Sequence, residues 1–247
     1  MKEFEYVPQS EYEPVRKQLE KIVRKVQQEL NGKFEFDYVF VGSSSRDMIT
    51  REVKGNQGYD FDIDIKVDSD IDCSPKELKH IVKSAFDKFS AQFCYSHCKN
   101  RTRVLTIKVV DKKNSRITHS CDIAIVRDYI DAEDRLRQEL VIYDKTNERY
   151  LWNERSLEYF GLEEKVDDIE KRGHRDDLLK VYLAKKCRYS DKKESRALFA
   201  EAVNEVYDRF CSETDETVEY YNNGISGAVL IVNKVRKDNW PAPDPFL

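Results

Sequence analysis

The sequence predicts an α+β fold: a mixed sheet with flanking helices, followed by a helical C-terminal lobe. Residues 60–67, Asp60-Phe61-Asp62-Ile63-Asp64-Ile65-Lys66-Val67, alternate polar and apolar with the period of a half-buried strand. Residues 10–30 carry Leu19, Ile22, Val23, Val26 and Leu30 at helical spacing. Beyond residue 128 strand signals fade and helical periodicity takes over, which divides the chain into an α+β half, 1–128, and a helical half, 129–247, with a substrate cleft expected between them.

The first helix is expected to start near Ser10, with Glu13 as its capping-box partner, and Asn31-Gly32 stops it. Strands follow at 34–41, 60–67, 103–110 and 120–127, each rich in β-branched or aromatic residues. After the first comes the turn Gly42-Ser43-Ser44-Ser45, a short helix over 46–50, and a polar hairpin or flexible loop over 51–58 that is long enough to cover a substrate. Ser74 and Pro75 open a helix to about Phe89, with Leu78, Ile81, Val82, Ala85 and Phe89 on its apolar face. Helices are then expected at 129–140, 176–189, 195–211 and 225–235. Residues 240–247 are too proline-rich for a helix and are expected to form an extended tail.

With 247 residues, 40% of them hydrophobic, the chain can build a sizeable core. Charged residues make up 36% but nearly cancel, to a net charge of −4, which argues against binding nucleic acid over a broad basic face. No apolar run spans a bilayer and the first residues lack a signal-peptide core, so no membrane partner and a cytoplasmic location are expected. The six scattered cysteines read as reduced thiols. Cys94, His97, Cys98, His119 and Cys121 make a poor zinc set, because strand alternation sends His97 and Cys98 to opposite faces. Asp68, Asp70 and Asp72 start like a calcium loop, but Cys73 and Lys79 stand where a glycine and a bidentate glutamate are required.

The carboxylates of 60–64 carry the chemistry. Alternate strand positions share a face and lie about 6.7 Å apart, so Asp60, Asp62 and Asp64 form a self-repelling row. Divalent cations relieve that repulsion, and two metals about 3.5–4 Å apart can be embraced by adjacent acids. Asp62 belongs to the site on either choice of pair. Asp60 with Asp62 is favoured, because Lys66 follows Asp64 on the same face and can neutralise it; Asp62 with Asp64 stays open. Asp122, inside the apolar run Cys121-Asp122-Ile123-Ala124-Ile125-Val126, is suited to be a third ligand from a neighbouring strand; by itself it reads equally as a buried acid paired with an arginine. Gly42 allows close backbone approach, and Ser43 to Ser45 with Arg46 can receive phosphate oxygens at the start of the short helix.

This order of strand, Gly-Ser turn, acid-x-acid strand and distant single acid resembles the polymerase-β-like nucleotidyltransferase superfamily. The likeness is strongest to its branch of cyclic GMP–AMP synthase, oligoadenylate synthetase and the bacterial cyclic-oligonucleotide synthases, and it covers about residues 36–126. The resemblance implies a nucleotidyltransferase-like catalytic core over 1–128 and a helical lobe over 129–247 that completes the cleft. It implies that Gly42 and Ser43 hold the β- and γ-phosphates, while Asp60, Asp62 and Asp122 hold two magnesium or manganese ions. Lys186 falls where the family has a triphosphate-gripping lysine, and Ser195 where a nucleotide-contacting pair begins, with Arg196 in place of its stacking tyrosine. On the sequence alone, Lys185 and Lys186 read rather as part of a solvated helix face. Gly42 and Asp60 are eighteen positions apart, several more than is usual in the branch.

The implied function is metal-dependent transfer of a nucleotidyl group from an NTP to an acceptor hydroxyl with release of pyrophosphate, making a cyclic or linear oligonucleotide signal. The sequence does not identify the acceptor. An antibiotic, a tRNA end or a protein side chain fits the same acids, and a non-catalytic nucleotide-binding module is the alternative of a different class.

Overall fold

The computed structural model describes residues 2–155, 161–211, 218–219 and 231–232. The first half contains β1 (Phe4–Tyr6), α1 (Gln9–Leu30), β2 (Phe36–Val41), β3 (Thr50–Glu52), β4 (Tyr59–Val67) and α2 (Pro75–Ser90). Next come β5 (Lys99–Asn100), β6 (Leu105–Asp111), β7 (Arg116–Ile130), β8 (Leu136–Asp144) and β9 (Arg149–Arg155). Three helices follow, α3 (Leu162–Lys171), α4 (Arg175–Tyr189) and α5 (Ser195–Phe210), then the short β10 (Val218–Glu219) and β11 (Ile231–Val232).

The central sheet runs β2-β4-β7-β6-β5, with β4 antiparallel to β2 and parallel to β7. The parallel pairing requires a crossover, which α2 supplies. At Ile123 and at Val126, β7 pairs with β4 and also with β6 or β8, so β6 and β8 follow one another along the edge opposite β4. β9 then pairs with β8.

One face of this sheet is apolar and covered. Phe61, Ile63 and Ile65 of β4 and Cys121, Ile123 and Ile125 of β7 pack with Leu19, Ile22, Val23 and Val26 of α1 and Leu78, Val82 and Phe86 of α2. Each such side chain contributes about 1.5–3 kcal/mol when fully buried. A one-residue slip of β4 would drive Asp60, Asp62 and Asp64 into that layer, so burial of the apolar set fixes the acids on the other face. A second apolar cluster joins Leu162 and Ile169 of α3, Leu178 and Tyr182 of α4, and Leu198, Phe199, Ala202 and Val206 of α5. Met48, from the turn after β2, belongs to this cluster and ties the helices to the sheet.

Several expected elements are corrected. Residues 129–140 form no helix: β7 continues to Ile130 and turns into β8, with Ile130 opposite Leu136. Asp131 organises that turn by accepting from the backbone amides of Glu133 and Arg135 at 2.9 Å, and it also pairs with the Arg135 and Arg137 side chains. Strand structure therefore extends well past 128, to Arg155. The expected short helix over 46–50 is a turn leading into β3, so Gly42 does not precede a helix N-terminus. α1 starts at Gln9 after Pro8 without a side-chain cap, and the Ser10–Glu13 capping box does not form. The box at α2 does form: Ser74 accepts from the Glu77 amide, and Glu77 accepts from the Ser74 amide. Ile231 and Val232, expected within the helix 225–235, pair as a strand with β10; the rest of that segment and the tail lie outside the described residues. No helix of the described residues is long and apolar enough to cross a membrane.

Candidate active site

The acids lie on adjacent parallel strands. Asp62 of β4 is the register partner of Asp122 of β7, and Asp60 is the partner of Ser120. Each carboxylate finds a different environment. The Ser120 hydroxyl donates to Asp60, and Thr106, opposite Asp122 on β6, donates through Oγ1 to Asp122 Oδ1 at 2.6 Å. Arg155, the last residue of β9, donates through Nη1 to Asp64 Oδ2 at 2.7 Å, and Asp64 is only 5% exposed. The expected neutralising partner, Lys66, pairs instead with Asp128 at 3.3 Å. Asp62 makes no hydrogen bond or ion pair among the described residues. Burial, reinforced by Asp122, Asp60 and Asp64 and opposed by Arg155, raises its pKa to about 7. Burial raises that of Asp122 too, with the Thr106 hydrogen bond acting in the opposite sense.

The turn after β2 presses against this row. Gly42 has φ of +67°, and a Cβ added there would sit 3.0 Å from Asp62 Oδ2. Glycine is thus required both by the left-handed backbone and by the approach of the carboxylate. Ser44 donates to the Val41 carbonyl at 2.8 Å and Ser45 to the Gly42 carbonyl at 2.9 Å, so both hydroxyls serve the turn itself. The Ser43 hydroxyl has no hydrogen-bond partner among the described residues. Arg46 donates to the Gly42 carbonyl at 3.0 Å and lies over the Phe199 ring at 4.5 Å, and burial lowers its pKa.

The helices bring the remaining predicted residues to the same place. Lys186 of α4 donates to Thr50 Oγ1 at 2.6 Å and lies 5.3 Å from the Phe4 ring centroid and 5.7 Å from that of Tyr182. Burial lowers its pKa while Asp60 and Asp62 oppose the shift, so this lysine is not on a solvated face. Lys185 points elsewhere, to Glu205 at 2.8 Å. A cleft of about 940 Å³ between sheet and helices is lined by Gly42, Ser43, Arg46, Asp60, Asp62, Asp122, Lys186 and Ser195 together. Arg103, Gln138, Arg155, Tyr182 and Arg196 line it as well. Tyr182 was legible one helical turn before Lys186, whereas nothing local marks Arg155, 91 positions from the acid it neutralises. The loop 51–58 contributes nothing to the cleft. It packs on β7 instead: the Ile117 amide donates to the Asn56 carbonyl at 2.9 Å, and Gly58 lies against the Thr118 carbonyl.

Among the described residues no three His, Cys, Asp or Glu side chains form a ready-made metal cage, since Asp60 turns to Ser120 and Asp122 to Thr106. The donors are nevertheless carboxylate oxygens, the type that hard dications such as magnesium or manganese select. Asp62, half-buried beside like charges and without a donor, has the unmet need that a cation satisfies. The residues fit such ions.

No protein-family model matches the chain, and no curated protein does. Solved structures do. The STING-associated CdnE c-di-GMP synthase from Capnocytophaga granulosa is 17% identical with a TM-score of 0.53, over 83% of this chain and 63% of that one. The Vibrio cholerae dinucleotide cyclase DncV, in complex with GTP and 5MTHFGLU2, is 14% identical with a TM-score of 0.51, over 81% and 55% of the two chains. DncV cyclic AMP-GMP synthase with nonhydrolyzable GTP gives 16% and 0.51, over 81% and 53%. The chain therefore spans less than two thirds of the length of these proteins, and at such identities the likeness is one of fold.

Proposed function

The chain has the nucleotidyltransferase fold of the cyclic-oligonucleotide synthases, and from that premise we propose that it moves a nucleotidyl group from an NTP to an acceptor hydroxyl with release of pyrophosphate. The acceptor in this reading is a second nucleotide, and the product a cyclic or linear oligonucleotide. The observation that carries the proposal is the single cleft in which the Gly42 turn, Asp62 of β4, Asp122 of β7 and Lys186 of α4 converge from four separate stretches of chain.

Asp60, Asp62 and Asp122 would hold two divalent cations, magnesium or manganese, which supply an activated acceptor oxygen and neutralise charge on the triphosphate. The chain's own groups bind and orient. Gly42 leaves room for phosphate beside the acids, the Ser43 hydroxyl is available to donate, and Lys186 with Arg46 adds positive charge around the β- and γ-phosphates. Ser195 and Arg196, at the start of α5, face the nucleoside. The acceptor hydroxyl gives up its proton to solvent, its oxygen bonds to the α-phosphorus, the bond from that phosphorus to the bridging oxygen breaks, and pyrophosphate leaves. Held in line by these contacts, the two substrates need little further ordering to react.

The test is incubation with each NTP and magnesium, without added acceptor, reading pyrophosphate and labelled oligonucleotide. Both are expected from the parent and neither from Asp62→Ala. Pyrophosphate only upon addition of an aminoglycoside, tRNA or protein would replace the nucleotide acceptor. Triphosphate binding with no pyrophosphate under any of these conditions would leave a binding module.

A further inference from the structure

α2 gives the core Leu78, Val82, Ala85 and Phe86, and beside them, 1% exposed, sits Lys79. A buried ammonium is costly unless it is hydrogen-bonded. Among the described residues no carboxylate pairs with it; its Nζ donates instead to the carbonyls of Arg101 at 2.9 Å and Thr102 at 3.2 Å. Successive carbonyls of an extended strand point to opposite sides, so two that meet one ammonium require a bend, and the chain bends at 102–103 before β6. Two backbone bonds close the same loop, Arg101 N to Val104 O at 2.9 Å and Tyr143 N to Thr102 O at 2.7 Å.

Beyond the bend Arg103 lines the cleft. Arg46 is engaged by Gly42 and Phe199, Lys66 by Asp128, Arg155 by Asp64 and Lys186 by Thr50, and Arg196 has a partner as well. Arg103 is the one cation of the cleft with no partner among the described residues. Strand order sets its place. Gly42 follows β2 on one side of the acid-bearing β4 and β7, and Arg103 precedes β6 on the other. An anion at Arg103 therefore lies across the acids from a triphosphate at Gly42.

We infer that Lys79 is a positioning residue that holds Arg103 towards a phosphate of the second substrate. This rests on the nucleotidyl-transfer reading for the identity of that substrate, and a binding measurement separates the two. Parent, Lys79→Met, Arg103→Ala and the double variant are each saturated with a non-hydrolysable triphosphate and magnesium, then titrated with GMP by calorimetry. GMP affinity is expected to fall about tenfold in each single variant and no further in the double, with triphosphate affinity within about twofold of the parent. In turnover the single variants should raise the acceptor KM by the same factor and leave kcat within about twofold. Losses that multiply in the double variant, unchanged GMP affinity in Lys79→Met, or a parent that binds the triphosphate but not GMP would overturn the inference. A parent that binds both yet releases no pyrophosphate overturns the transfer reading alone. Arg103 is exposed, so should Lys79→Met fail to fold, unchanged GMP affinity in Arg103→Ala still overturns the proposal.

Discussion

A negative charge on Asp62 is unfavourable in the ligand-free protein, because burial and the neighbouring Asp122, Asp60 and Asp64 all favour the protonated form. Its folded pKa of about 7 lies above the unfolded value of 3.8, so between those values the folded state holds a proton that the unfolded state has lost. Stability from this group is complete below the lower value, declines as pH rises through the window, and levels off above it. Asp62→Asn should accordingly be more stable than the parent at pH 8, by thermal midpoint, and equal to it near pH 4, while turnover falls by a factor of about a thousand or more. A variant less stable than the parent at pH 8 contradicts this account. Asp64 behaves differently because Arg155 already answers its charge. Asp64→Asn should cost about 1–3 kcal/mol in urea unfolding yet keep turnover within about threefold at temperatures where it is folded. A loss as deep as that of Asp62→Asn would move the metal pair to Asp62 and Asp64.

Among the elements, the segment between β3 and β4 shows how a long insertion can be structural. Ile117 and Thr118 of β7 receive it, and a Cβ on Gly58 would lie 1.8 Å from the Thr118 carbonyl oxygen, a backbone atom that cannot swing aside. Gly58→Ala is therefore expected to lower stability by several kcal/mol, through loss of the 51–58 contact with β7, measured as the drop in urea midpoint. If the segment were a substrate lid, this change would leave stability intact and raise KM instead. The β7–β8 hairpin explains the misread helix at 129–140. Asp131 and Arg135 stand at i and i+4, the spacing of a helical ion pair, but here the pair spans a turn in which Asp134 takes a positive φ of 56°. Period alone does not distinguish the two, because short charged stretches with Ile130, Leu136 and Leu140 satisfy either template.

At the scale of the whole molecule, sheet and helices meet through a few specific contacts. Met48 enters the helical cluster, Tyr6 donates to the Leu179 carbonyl at 2.8 Å, and Lys186 reaches Thr50. The cleft between them is where a lysine from α4 stands near acids from β4. Lys186→Met should weaken binding of a non-hydrolysable triphosphate by about 10–100-fold, the value of a charge-assisted phosphate contact, with little change in unfolding midpoint. Unchanged affinity in a calorimetric titration would remove Lys186 from the site.

The sequence by itself determined what depends on near neighbours: the alternation of β4, the apolar stripes of α1 and α2, the Ser74–Glu77 cap, and the acids Asp60, Asp62 and Asp122 on strands that bury their other faces. These follow from periods and caps that act within a few residues. Tertiary structure alone decided that Arg155 rather than Lys66 neutralises Asp64, that 136–144 and 149–155 pair as strands, and that Asp62 is left without a donor beside Asp122. Charge pairing and strand pairing across such separations depend on which groups the packed core brings within a few ångströms, and no local pattern records that distance.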